Sequence, residues 1–161
     1  MVREVAGNAE ADAAACAVMI TLELPTTAII MVDPLQLHHV ITALLENAIH
    51  FSPHGGPVGV RVVHTDGSVC LTVTDQGAGI APDVLPRIFE AFTSADITHH
   101  TVGHGLSLAI ARQIILAHQG TIEVESTPGV ETTFTVRLPD IAWVVSEEPL
   151  ECLEVQSVYG K

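Results

Sequence analysis

The sequence predicts a single α/β domain in which a hairpin lies against helices. Three observations lead there. Short alternating or continuously apolar runs, each bounded by Gly, Pro or Asp, recur along the 161 residues. Two longer segments instead carry apolar residues at helical spacing. Hydrophobic residues make up 48% of the chain, which is enough for one packed core at this length.

Residues 1–15 are rich in Ala, Glu and Asp without a clear period and are expected as the frayed end of a helix. Ile20-Thr21-Leu22-Glu23-Leu24 alternates and stops at Pro25, which predicts a strand. Ala28-Ile29-Ile30-Met31-Val32 predicts a second, more buried strand. Asp33-Pro34 then supplies an N-cap and a proline for the first helical position. The following helix is expected from Leu35 to about Phe51, with Leu37, Val40, Ile41, Leu44, Leu45 and Ala48 as its apolar stripe. Ser52-Pro53-His54-Gly55-Gly56-Pro57 ends it. Val58 to His64 and Val69 to Thr74 predict a hairpin about Asp66-Gly67. A long irregular region follows from Gln76 to His104, with a short helix around Asp83 to Phe92. Another helix is expected from Leu106 to His118, ended by Gln119-Gly120, and His118 reads as a packed helix-end residue. Thr121 to Ser126 and Thr132 to Leu138 are strands joined at Pro128-Gly129. Ile141-Ala142-Trp143-Val144-Val145 is a candidate edge strand before an acidic end. The expected division is a lead-in over 1–19, the domain over 20–139 and an acidic tail over 140–161.

Charge narrows the function classes. The formal net charge is −13, with Lys161 the only lysine beside five arginines. Such a surface repels nucleic-acid backbones and anionic lipid. A phosphate ligand would have to be held by backbone N–H groups, a metal ion or histidine. Cys16, Cys70 and Cys152 show no metal or disulfide spacing, which fits a reducing compartment. The most apolar run, Ala13 to Ile20, is too short to span a bilayer, and Met1-Val2-Arg3-Glu4 lacks a signal peptide's basic flank. The expected location is cytoplasmic, alone or as the cytoplasmic part of a membrane-bound sensor.

Three stretches carry chemistry. Asp75-Gln76-Gly77-Ala78-Gly79-Ile80 places a carboxylate at a strand end, followed by glycines that let a ligand approach the backbone. Asn47 lies at the margin of the first helix's stripe, with His50 one turn later on the same side. Its carboxamide either buttresses the following loop or offers an oxygen to a hard cation such as Mg²⁺. Gly103-His104-Gly105-Leu106-Ser107-Leu108 opens a helix, where free N–H groups and the helix dipole suit a phosphate.

In order along the chain stand Glu46-Asn47-Ala48, Asp75-x-Gly77-x-Gly79-Ile80, Arg87-Ile88-Phe89-Glu90-Ala91-Phe92, Gly103-x-Gly105-Leu106-x-Leu108-Ala109-Ile110 and Thr132-Thr133-Phe134. This series resembles the catalytic, ATP-binding domain of sensor histidine kinases, within the gyrase–chaperone–kinase ATPase superfamily. The resemblance covers Ile20 to Pro139. It implies a two-layer α/β (α+β) sandwich with a mixed sheet and helices on one face, the Bergerat-type fold. It implies ATP and Mg²⁺ as cofactors. Asp75 then corresponds to the acceptor of the adenine amino group, and Gly77 and Gly79 to glycines making room for base and sugar. Asn47 corresponds to the Mg²⁺ ligand. Phe89 and Phe92 correspond to an aromatic box, and Gly103, His104, Gly105, Leu106, Ser107 and Leu108 to the phosphate-binding end of a lid. Thr133 corresponds to a threonine lining the adenine pocket. His50 and Phe51 stand where a basic and an aromatic residue are usual, and both join the expected ATP site with Ile80.

Departures from the pattern bear on activity. Ala43 replaces a usual Asn and, where hydrolysing relatives carry a Glu base, argues against activation of water. Ser107 and Glu131 stand where glycines are usual, as does Gln119. His99, His100 and His104 fall in the lid, where Arg or Lys is common, and are expected to strengthen phosphate contact when protonated. The reaction implied is transfer of the ATP γ-phosphate to a histidine on a dimerising helical hairpin, with a response regulator downstream. No such hairpin precedes Ile20, so an excised or separately encoded domain is expected, acting in trans. The alternatives are a nucleotide-binding regulator without transfer activity and an anti-sigma-type serine kinase.

Overall fold

Alternation along the strands sets the sheet. In the computed structural model, which describes residues 1–26, 30–52, 56–65, 67–93 and 105–140, one sheet holds five strands. These are β1 (Met19–Glu23), β2 (Pro57–Thr65), β3 (Ser68–Asp75), β4 (Thr121–Thr127) and β5 (Glu131–Pro139). Their order is β1-β2-β3-β5-β4. β1 runs parallel to β2, and the other neighbouring pairs are antiparallel, so the sheet is mixed. The register aligns Val60 with Val73, Val73 with Phe134 and Phe134 with Val124 on one face. That face is buried, whereas Thr72, Thr74, Thr133 and Thr135 alternate onto the other. The β2–β3 hairpin and its helix-covered face are as the sequence predicts.

Three helices pack on the buried face: α1 (Val2–Ala15), α2 (Pro34–Phe51) and α3 (Ser107–Ala117). The Asp33 side chain caps α2, accepting from the N–H groups of Leu35 at 2.9 Å and Gln36 at 3.2 Å. The α2 stripe is the centre of the core, with Val40, Leu44, Leu45 and Ala48 fully buried beside Phe134 and Ile115. The ends of α2 and α3 are joined by His118. Its Nδ1–H donates to the Ile114 carbonyl at 2.8 Å, which leaves Nε2 to accept from the Asp33 N–H at 3.0 Å. No helix among the described residues is long and apolar enough to cross a membrane.

Several expectations change. Within residues 1–19, expected as a lead-in, α1 buries Val5, Ala6 and Ala13, and Val18 also joins the core. Ile30-Met31-Val32 is not a strand. Ile30 and Val32 instead pack half-buried against the core while the chain crosses from β1 to α2. Ala28 and Ile29 lie outside the described residues. The helix expected over 83–92 shrinks to a single 3₁₀ turn, Leu85–Arg87, because Pro82 and Pro86 cannot donate to a helical ladder. The candidate strand at Ile141–Val145, the acidic tail and the lid histidines also lie outside the described residues.

Candidate functional site

β3 ends mid-sheet with Asp75 on the buried face, opposite Val58 of β2 and Thr132 of β5. The residue is only 2% exposed. Burial pushes its carboxyl up from the ordinary carboxylate range to about 6. The Gly77 N–H, donating to Oδ1 at 3.0 Å, pulls the other way, and the charge of Glu131 adds a further push. A buried carboxylate with a single backbone donor is poised to accept from a ligand.

The glycines after Asp75 serve the backbone. A Cβ on Gly77 would strike the Phe51 carbonyl at the end of α2, and the Ala78 N–H donates to that same carbonyl at 3.3 Å. Gly79 has φ +68° and sits against Thr127 and Pro128 of the β4–β5 turn. The Gly129 N–H closes that contact on the Ala78 carbonyl at 2.7 Å. These glycines therefore let the loop nest between α2 and the turn, and Gly79 also lines the cavity.

α2 supplies one wall of the adjoining cavity through Ala43, Glu46, Asn47, His50 and Phe51. The floor is Asp75 with Thr132, Gly79, Ile80 and Ile88, and the far side is Thr93, Gly105, Ser107 and Leu108. The cavity is open at its mouth, so its empty space runs on into solvent. The Asn47 side chain lines the cavity from the last turns of α2. α3 opens at the cavity, where Ser107 and Leu108 line it, and no side chain among the described residues caps its first N–H groups. Gly105, at φ +65°, accepts from the Phe92 N–H at 3.0 Å and ties the two flanks of residues 94–104 together.

The donor set fits ATP with Mg²⁺. Asn47 and Glu46 offer oxygens at the cavity mouth. Among the described residues no three His, Cys, Asp or Glu converge to hold a metal unaided. A cation held there would complete its shell with phosphate oxygens and water, as Mg²⁺ does.

Of the residues expected at the site, the structure brings together Asn47, His50, Phe51, Asp75, Gly79, Ile80, Gly105, Ser107 and Leu108. Gly77 stands behind them. Leu106 is the N-cap residue of α3 and does not line the cavity. Phe89 packs edge-on against Phe134, centroids 6.2 Å apart, with the Arg112 guanidinium 5.8 Å from its ring centre. Phe92 points outward, 78% exposed. Gly103 and His104 lie outside the described residues. Thr133 does not line the cavity, whereas its neighbour Thr132 does. Successive strand residues face opposite ways, so Thr133 bonds the Thr74 hydroxyl at 3.0 Å on the other face while Thr132 meets the cavity. Sequence reasoning missed Glu46, Ile88, Thr93 and Thr132 as lining residues. For Thr132 the signal was present: it is two residues before the inward-facing Phe134, as Asp75 is two after the inward-facing Val73.

Comparison with known proteins agrees with this geometry. The profile described as "Histidine kinase-, DNA gyrase B-, and HSP90-like ATPase" matches residues 32–142. The sensor histidine kinase RppB of Synechocystis sp. is 40% identical over 106 residues, covering 65% of this chain and 23% of its own length. The sensor-like histidine kinase SenX3 of Mycolicibacterium smegmatis is 37% identical over 125 residues, covering 76% of this chain and 33% of its own length. The chain thus spans about a quarter to a third of the curated relatives it matches. Among solved structures, the mycobacterial sensor histidine kinase MprB gives a TM-score of 0.73 at 30% identity, over 85% of this chain and 94% of that one. Full-length ShkA in complex with AMPPNP gives 0.76 at 30% identity, over 86% of this chain and 29% of that one. With a buried acid, a carboxamide and a helix N-terminus around one cavity, the chain belongs to the histidine kinase-, DNA gyrase B- and HSP90-like ATPase family, as an ATP-binding domain of the sensor histidine kinase kind.

Proposed function

We propose that this domain binds ATP with Mg²⁺ and presents the γ-phosphate to a histidine on a dimerising helical hairpin, from which a response regulator is phosphorylated. The observation that carries the proposal is the pairing, across one cavity, of the buried Asp75 with Asn47 and the open N-terminus of α3. Asp75 accepts from the adenine amino group, a donor that guanine replaces with an oxygen. Asn47 holds Mg²⁺, whose charge offsets that of the phosphates, and the α3 N–H groups with Ser107 receive the phosphate oxygens. Among the described residues His50 is the only basic side chain lining the cavity, and it stands on the helix turn after Asn47. Gly103 and His104 complete the phosphate end. Ala43 lines the wall without an acid or amide, which favours positioning for transfer over activation of water.

The test is transfer of labelled γ-phosphate from ATP to a purified histidine hairpin, with calorimetric titration of ADP and Mg²⁺ in parallel. Label is expected on the hairpin. Asp75→Asn is expected to weaken ADP by roughly 1.5–3 kcal/mol, the worth of a charge-assisted hydrogen bond. Tight ADP binding by both proteins would remove Asp75 from the site.

A further inference from the structure

Ser126 is not a lining residue, yet three hydrogen bonds converge on its hydroxyl. The Ile80 N–H donates to Oγ at 2.8 Å. The hydroxyl itself donates to the Glu131 carbonyl at 3.0 Å. Thr132 Oγ1 lies 3.0 Å away, directly across the strand pair. A serine hydroxyl has one proton and two lone pairs. Its proton is committed to Glu131, since a carbonyl can only accept. The remaining bond therefore takes its proton from Thr132. That leaves the Thr132 oxygen with lone pairs alone to turn toward the cavity, beside the Asp75 carboxylate on the same face of the sheet.

We propose that Ser126 is a positioning residue for base recognition: by fixing the direction of the Thr132 hydroxyl, it makes the buried end of the cavity accept hydrogen bonds and donate none. Such an end favours a purine with a 6-amino group, which carries two hydrogens, or a water molecule relaying them. It opposes a 6-oxo purine, which presents an acceptor to two acceptors. Ser126 also holds the Ile80 end of the Asp75 loop, so the same residue fixes both acceptors in place. The inference rests on the nucleotide-binding proposal above and adds to it the residue that sets base preference.

The test compares ADP with inosine diphosphate, both with Mg²⁺, by calorimetry on the full chain. The quantity read is the ratio of the two Kd values, because a merely structural role would weaken both nucleotides alike. Ser126→Ala frees the Thr132 hydroxyl to turn and donate, and the preference for ADP is expected to fall about fivefold, the scale of one neutral hydrogen bond. Ser126→Thr keeps the hydroxyl and is expected to keep the ratio. Thr132→Val, which leaves the Ile80 and Glu131 bonds of Ser126 in place, is expected to lower the ratio as far as Ser126→Ala. Adding Ser126→Ala to it is expected to lower the ratio no further. A ratio within twofold of the wild type in folded Ser126→Ala overturns the inference and leaves the nucleotide site standing. If that variant does not fold, an unchanged ratio in Thr132→Val overturns it instead. No ADP binding by the wild type overturns the site and the inference together.

Discussion

A carboxylate enclosed among valines and a phenylalanine costs folding free energy until a ligand meets it. Asp75 titrates near 3.8 in an unfolded chain and near 6 in the fold. Between those values the folded state holds the extra proton, so stability is lost as pH rises through that window. Asp75→Asn retains an oxygen for the Gly77 N–H and removes the charge. The free variant is expected to be more stable than the wild type at pH 7.5, by up to about 3 kcal/mol. The gain should shrink toward zero as pH approaches 4, as read from urea midpoints along a pH series. Asp75 was legible from the sequence because a strand, an acid and two spaced glycines coincide. Thr132 was missed by one position, since a parity error along a strand exchanges the buried face for the open one.

α2 carries the site because it was the most strongly specified segment: an Asp-Pro start, one apolar stripe and a Pro-Gly stop agree with one another. α1 has a stripe too, Val2, Val5, Ala6, Ala9, Ala13 and Cys16. It was hidden because alanine fills both its buried and its exposed faces, which removes the contrast on which periodicity depends. The apolar run at Ile30 to Val32 shows the opposite failure, since burial alone does not require a ladder partner. The link between α2 and α3 could not be read from order at all: His118 and Asp33 are 85 residues apart. His118→Ala is expected to cost about 1 kcal/mol, because the Asp33 N–H at the mouth of α2 loses its acceptor. Urea unfolding of the variant against the wild type measures it.

At the level of the molecule, the sheet gathers the site from distant parts of the chain. β3 and β5 bring Asp75 beside Thr132, and the helices above bring Asn47 opposite Ser107. The order of motifs in the sequence announced this arrangement, and the −13 charge, with a single lysine, set the expectation that amides would meet phosphate. Neither announced that residues 2–15 belong to the core. Deleting residues 1–17 strips Val5, Ala6 and Ala13 from the core cluster. It is expected to lower stability by at least about 3 kcal/mol, the scale of one or two large core truncations, measured as the loss of thermal and urea resistance. On the proposed function, the acid at the end of β3 ties the lifetime of the protein to its ligand. Occupancy would give that charge a second donor and add binding energy to the folded state alone. Proteases that sample opened molecules are then expected to remove unladen copies first, so that a shortage of adenine nucleotide lowers the protein's abundance.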